Sequence, residues 1–331
     1  MIIDGFTRMI GHAVIATVCM LVGLAGPTAA LAQSWPARNI TVIVPLGAGS
    51  ASDVVTRIVM DQLGKQLGRT IIVENRPGAG GTIGANMVAK AAPDGYTILA
   101  YGALPIANAL YSKIPYDTLR DFVPLIALGQ QPLVVVTSPS KGYKTLGDLI
   151  AAAKAKPGAL NYTSAGIGSA SHFAAERLLA SSGIAVQHIA YKGASEAATD
   201  IVAGRADFTI QPITTTIALI GDGELVALAV SAGKRATMMP QVPTTVEAGL
   251  PADSVYPFWS GLFLPANTPR DIVDTLYRET AAALQTPAVQ AQLAKLGVEP
   301  MRMTLEQFAA FFRQDVEANL ALVKAANIPR Q

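Results

Sequence analysis

The hexapeptide G-x-G-S-A-S occurs twice, as Gly47-Ala48-Gly49-Ser50-Ala51-Ser52 followed by Asp53, and as Gly166-Ile167-Gly168-Ser169-Ala170-Ser171 followed by His172. Each copy follows a strand-like run, Asn39 to Leu46 or Leu160 to Ser164. Each precedes a helix-like run, Asp53 to Leu67 or Phe173 to Ala180, with Gly68 and Gly183 as stops. The first amides of a helix have no partner within it and carry the positive end of its dipole, and glycines let backbone approach a ligand closely. Both copies therefore qualify as anion cradles. Their starts lie 119 residues apart, about one small domain, so the simplest geometry sets one cradle on each of two domains, facing across a cleft. The pattern also meets a plainer need, since Ser50-x-x-Asp53 fits a capping box.

Catalytic and metal chemistry find less support. Beyond the N-terminal segment the histidines are His172 and His188, and the sole cysteine is Cys19, so no zinc-ligand spacing arises. There is no Gly-x-Ser-x-Gly elbow. A Ser-His-Asp set can be composed from Ser52 or Ser169 with His172 and Asp53, but nothing in the spacing brings them within hydrogen-bond reach. The glycines of Gly78-Ala79-Gly80-Gly81 depart from the dinucleotide fingerprint and read as a tight turn before a helix. No cofactor and no metal are expected.

Residues 1–32 read as a secretory signal peptide: Arg8, an apolar run from Ala13 to Ala25 too short to span a bilayer, and a small-residue site at Ala30-Leu31-Ala32. Export to the periplasm follows, with a cysteine-free mature chain. Setting aside Arg8 and Asp4, 24 basic residues face 22 acidic ones, with no basic stripe for nucleic acid and no polybasic membrane patch.

About 300 mature residues suggest two domains. The βαβ rhythm of Asn39 to Tyr101 recurs from Leu160 to Ser231, which argues for two parallel-sheet domains. Pro132 to Ser138 and Phe258 to Leu264 are candidate crossing strands, and Gly102 to Pro105 is read as a loop at the carboxyl end of its strand. Thr268 as N-cap with Pro269 at N1 opens a run of helices, Ile272 to Leu284, Ala288 to Leu296 and Leu305 to Ala325. With no strand of their own, these helices are expected to pack on the first domain. The expected division is 34–137 with 258–331 as one lobe and 138–257 as the other.

Trp35-Pro36, Ile43-Val44-Pro45 with its glycine loop and Asp53, the run Val73 to Gly81, Pro93-Asp94-Gly95-Tyr96-Thr97, Tyr191-Lys192-Gly193 and Pro265 to Pro269 together resemble the Bug-type solute receptors of tripartite tricarboxylate transporters. The likeness runs in order through the whole mature chain. It implies a type II periplasmic-binding-protein fold, two α/β lobes joined by two crossing strands. It also implies capture of a small mono- or dicarboxylate for a membrane permease, by a receptor expected to be a monomer. In that family the loops matching Leu46 to Asp53 and Ser164 to His172 hold the carboxylate, largely through backbone groups and bridging water. This chain departs from the pattern at Leu46, Gly49-Ser50 and Ala165, which bears on ligand identity more than on fold.

The expected ligand contacts are Leu46, Gly47, Ala48, Gly49, Ser52 and Asp53 from the first loop. From the second come Ser164, Ala165, Gly166, Ile167, Gly168, Ser169 and His172. Tyr101 and Tyr191 are candidate cleft walls, as is Trp259; Ala103 lies at a strand end, Lys192 could neutralise an anion, and Asp207 completes the set. A receptor that presents its ligand to a signalling protein, and a serine hydrolase, are the alternative readings.

Overall fold

The computed structural model describes residues 35–325 and residue 330. The expected signal peptide and Cys19 lie outside the described residues. In chain order the strands are β1 (Ile40–Val44), β2 (Ile71–Asn75), β3 (Thr97–Ala100), β4 (Phe122–Gln131), β5 (Leu133–Thr137), β6 (Asn161–Ser164), β7 (Gln187–Ala190), β8 (Phe208–Pro212), β9 (Val226–Ser231) and β10 (Phe258–Pro265). The helices are α1 (Ala51–Leu67), α2 (Thr82–Ala89), α3 (Leu104–Leu110), α4 (Leu146–Ala155), α5 (Ala170–Ser182), α6 (Ala194–Val202), α7 (Ile213–Gly221), α8 (Arg270–Gln285), α9 (Pro287–Lys295) and α10 (Leu305–Ala325).

Two five-stranded sheets result, ordered β2-β1-β3-β10-β4 and β7-β6-β8-β5-β9. In the first, β1 is parallel to β2 and β3, while β10 runs antiparallel between β3 and β4. In the second, β6 is parallel to β7 and β8, while β5 is antiparallel to β8 and β9. The reason lies in the sequence: β1 (ITVIV) and β5 (LVVVT) are near-continuous β-branched runs, fit for strands covered on both faces. Helices α8 and α10 pack on β4, and α10 also covers α3. The chain leaves the first sheet at Gln131, passes Pro132, and returns at Phe258. This is the type II periplasmic-binding-protein architecture, two mixed α/β lobes around a cleft.

Four local readings change. The strand β5, placed in the first lobe by a division at 137/138, has both its ladders in the second sheet, so the crossing falls at Pro132. The loop read at Gly102 to Pro105 instead continues into α3, with Ala103 as its N-cap residue and Pro105 in the first turn. Its sequence LPIANAL is apolar but for Asn108 and nearly all buried, so no amphipathic period marks it. At α8, Pro269 takes the N-cap position and the Thr268 hydroxyl donates instead to Pro265 O, 2.7 Å away. Trp259 does not wall the cleft: its ring meets Phe308, Phe311 and Phe312 edge-on, and its Nε1 donates to Asp315 at 3.0 Å.

The carboxyl ends of the parallel strands carry the loops of interest, the edge where open α/β sheets take ligands. From β1 the chain enters Leu46 to Ser50 and then α1; from β6 it enters Ala165 to Ser169 and then α5.

Candidate ligand cleft

The two copies of the hexapeptide fold alike. Ser50 and Ser169 are N-caps, accepting the Asp53 and His172 amides at 3.4 and 3.3 Å. The side chain three residues after each cap then reaches back past it. One Asp53 oxygen accepts Gly49 N–H at 2.9 Å, and His172 Nδ1 accepts Gly168 N–H at 3.3 Å. Both glycines need the left-handed region, with φ of 75° and 79°. The turn is thus a capping box displaced by one residue.

Most loop amides are consumed inside the loops. Gly166 N–H donates to Ser164 Oγ at 3.1 Å, Ala165 N–H to Ser171 Oγ at 2.9 Å, and Ser50 and Ser169 N–H to the Gly47 and Gly166 carbonyls. The amides that helix geometry leaves over are those of the first turns, Ala51 and Ser52 in α1, Ala170 and Ser171 in α5. These four residues line one cavity of about 20 Å³ between the lobes. Leu46, Ala103, Ala165, Ala194, Pro212 and Phe258 give it apolar walls, and none of its lining residues is ionisable. Two buried polar atoms in its lining have no hydrogen-bond partner, Ser52 Oγ and Gln211 Oε1.

The cradles differ electrically. Asp53 is buried, which pushes its carboxyl up, but Arg57 Nε, Gly49 N–H and Asn75 Nδ2, each at 2.9 Å, outweigh burial and hold it below the usual carboxylate range. Asn75 also donates to Leu46 O at 3.0 Å, tying the loop to β2. His172 is also buried, and with His188 stacked on it at 4.4 Å its pKa falls to about 3. Burial takes His188 to about 4; its other face meets Tyr162 at 4.6 Å and its Nε2 lies 2.6 Å from Ser164 Oγ. Because His172 Nδ1 accepts a hydrogen bond, the neutral ring carries its proton on Nε2.

Glycines bring the lobes together. A Cβ on Gly47 would sit 3.5 Å from Gly193 Cα, and one on Gly49 3.1 Å from Ser195 Oγ. At Gly80, with φ of +59°, a Cβ would lie 1.8 Å from Ile167 O. The Ile167 carbonyl also accepts the Tyr111 hydroxyl across the cleft at 2.8 Å.

Among the expected contacts, Leu46, Ser52, Ala103, Ala165 and Ser169 line the cavity. Gly47, Gly49, Gly166 and Ile167 sit at the lobe seam, with Ala48 and Gly49 exposed. Asp53, Ser164, Gly168 and His172 hold the loops from behind. Four residues do not come to the cavity with their side chains. Tyr101 is fully buried and its hydroxyl donates to Gly80 O, so it supports the turn that meets Ile167. Tyr191 gives its hydroxyl to Asp200, and Lys192 is exposed, with only its backbone carbonyl near Gly47. Asp207 lies at the opposite end of β8 from Gln211, paired with Lys141 at 2.9 Å. Sequence reasoning missed Ala51, Ala170, Ser171 and Gln211, along with Ser50, Ala194, Pro212 and Phe258. The first three follow from asking which helix amides stay free; Gln211 has no local signal.

The hydrolase set is not assembled. Asp53 is engaged by Gly49, Arg57 and Asn75, and His172 Nδ1 by Gly168, so neither is available to orient the other.

Two α/β lobes that close over helix N-termini define a solute receptor of the periplasmic-binding-protein class. More narrowly, the chain belongs to the family described as tripartite tricarboxylate transporter family receptor, whose model matches residues 55–328. Solved structures similar to it include three of note. The periplasmic binding protein BugD is 31% identical, with a TM-score of 0.86 over 90% of this chain and 100% of that one. Rpa4515 of R. palustris with adipate is 28% identical, with a TM-score of 0.86 over 90% and 100%. MatC from Rhodopseudomonas palustris with bound malate is 30% identical, with a TM-score of 0.84 over 87% and 100%.

Proposed function

We propose that this chain captures a small carboxylate between its lobes and delivers it to the permease of a tripartite tricarboxylate transporter, after export and removal of residues 1–32. The observation that carries this reading is the cavity bounded by the first turns of α1 and α5 from opposite lobes. Four amides and two helix dipoles converge there with no acidic side chain in the lining, which suits an anion and needs no arginine. The adipate and malate of the similar structures are carboxylates of matching class. The lobes are 38–132 with 258–325 and 133–257. A cavity of about 20 Å³ has room for about one water-sized group and not for an acid, so the lobes part to admit a ligand and close less fully over it than they do here.

A thermal-shift screen tests the reading with mono-, di- and hydroxycarboxylates, amino acids and neutral sugars. Saturation at ~100 Kd stabilises a protein by about 2.7 kcal/mol, so a bound acid raises the melting temperature by a few degrees. Shifts confined to sugars or cations would overturn it. Delivery is tested by uptake of the acid found, in cells that carry the permease with and without this receptor; equal uptake would contradict the transport role.

A further inference from the structure

The unpartnered Gln211 oxygen says more about the ligand than the cradles do. Thr209 Oγ1 donates its one hydrogen to the Thr163 carbonyl at 2.7 Å, so toward Gln211, 3.1 Å away, it can only accept. The Gln211 group facing it must therefore be Nε2. That fixes the amide and leaves Oε1 as a pure acceptor, on a fully buried side chain that lines the cavity, with no partner. A buried acceptor without a donor is costly, and a second ligand carboxylate, which offers no hydrogen, cannot relieve it. A hydroxyl or ammonium can. Ser52 Oγ, equally buried and unpartnered on the opposite lobe, either donates or accepts and so does not discriminate.

We propose that Gln211 selects carboxylates that carry a hydrogen-bond donor, hydroxy or amino acids, over their deoxy analogues. The inference rests on the carboxylate reading above and adds to it a requirement that the similar structures do not share: malate offers a hydroxyl, adipate offers none. Sites built to pair a ligand hydroxyl reject the analogue lacking it far more strongly than apolar pockets reject a missing methylene.

Calorimetric titration of the purified protein with matched pairs tests it: succinate against L- and D-malate, propionate against L- and D-lactate, and propionate against L- and D-alanine. In the parent, at least one donor-bearing acid should bind tenfold or more tighter than its partner. In Gln211→Leu that ratio should fall to threefold or less, because the deoxy acid no longer leaves a buried acceptor unpaired and binds tighter while its donor-bearing partner gains nothing. Ser52→Ala should weaken both members of a pair alike and keep the ratio. Pairs that bind equally in the parent, or a ratio that survives Gln211→Leu, would overturn the proposal and leave the carboxylate reading standing. Loss of the ratio in Ser52→Ala instead would move the role from Gln211 to Ser52. If none of these acids binds and no other carboxylate shifts the melting temperature, both readings fall. Should Gln211→Leu not fold by circular dichroism, the parent ratios alone decide.

Discussion

The same hexapeptide builds both jaws, yet one is backed by a charged carboxylate and the other by a neutral imidazole. Asp53 and His172 occupy equivalent positions and do the same mechanical work, accepting the amide of the glycine before the cap. Asp53 adds a negative charge behind its cradle, and Arg57 with Asn75 must offset it before an anion can be welcome there. His172 adds none, because burial keeps it neutral. A loop can therefore be held from behind by either chemistry, but the first jaw needs a network of partners and the second needs a dry stack.

The largest effect is expected at the seam that both jaws share. Gly80→Ala places a Cβ where Ile167 O now lies and forces a left-handed residue, so closure fails. Acid affinity should drop at least a hundredfold while the melting temperature moves by a few degrees. Calorimetry with a thermal scan checks this, and parent-like affinity would show that closure is not needed.

Replacing each backing residue by asparagine, which still accepts an N–H, isolates what differs between the jaws. Asp53→Asn gives up charge-assisted bonds to Arg57 and should cost about 2 kcal/mol, whereas His172→Asn keeps its one acceptor and should cost about half that. Urea denaturation at pH 7 measures both; a reversed order would break the comparison.

Acid should separate the jaws too. His172 and His188 have folded pKa values of about 3 and 4, below the ordinary 6.5. The unfolded chain therefore takes protons first as pH falls, so their contribution is complete above pH 6.5 and is lost progressively from there to about pH 4 for His188 and about pH 3 for His172. Asp53, also lowered, loses its contribution only below the ordinary carboxylate pKa of 3.8. Glu176 and Asp315, both raised by burial, oppose the histidines, so the histidine share is read from the difference between the parent and His172→Asn. The melting temperature should fall between pH 6.5 and 4.5, and less steeply in His172→Asn; equal slopes would place the effect elsewhere.

The smallest change is at the caps, where the jaws are alike. Ser50→Ala and Ser169→Ala should each cost about 1 kcal/mol by urea denaturation and leave acid affinity nearly unchanged. A large loss of affinity in either would give that hydroxyl a direct contact with ligand.

The repeated strand-loop-helix junctions were legible because each is local: a β-branched run, a glycine turn, a serine cap. What crosses the cleft was not. Gly80 reads as a tight turn before a helix, and nothing near it says that its space is shared with Ile167, which comes from the other lobe. Tyr101 and Tyr191 read as cleft walls by position, but their hydroxyls found Gly80 and Asp200 first. Gln211 is one residue of a buried strand, and its meaning comes from Thr209 and, through it, Thr163 on the neighbouring strand. The glycines were expected to bring the loops and their amides close to a ligand. They spend them on Asp53, His172 and Ser164, and serve instead to let the loops turn and the lobes meet.

The most direct test of the two-jaw account is an amide nitrogen–proton correlation spectrum of ¹⁵N-labelled protein, titrated with an acid that raises its melting temperature. New hydrogen bonds to carboxylate move amide protons downfield, so Ala51, Ser52, Ala170 and Ser171 should show the largest such shifts, in both lobes and with the same dissociation constant. Downfield shifts confined to one lobe, or strongest outside these two first turns, would contradict it.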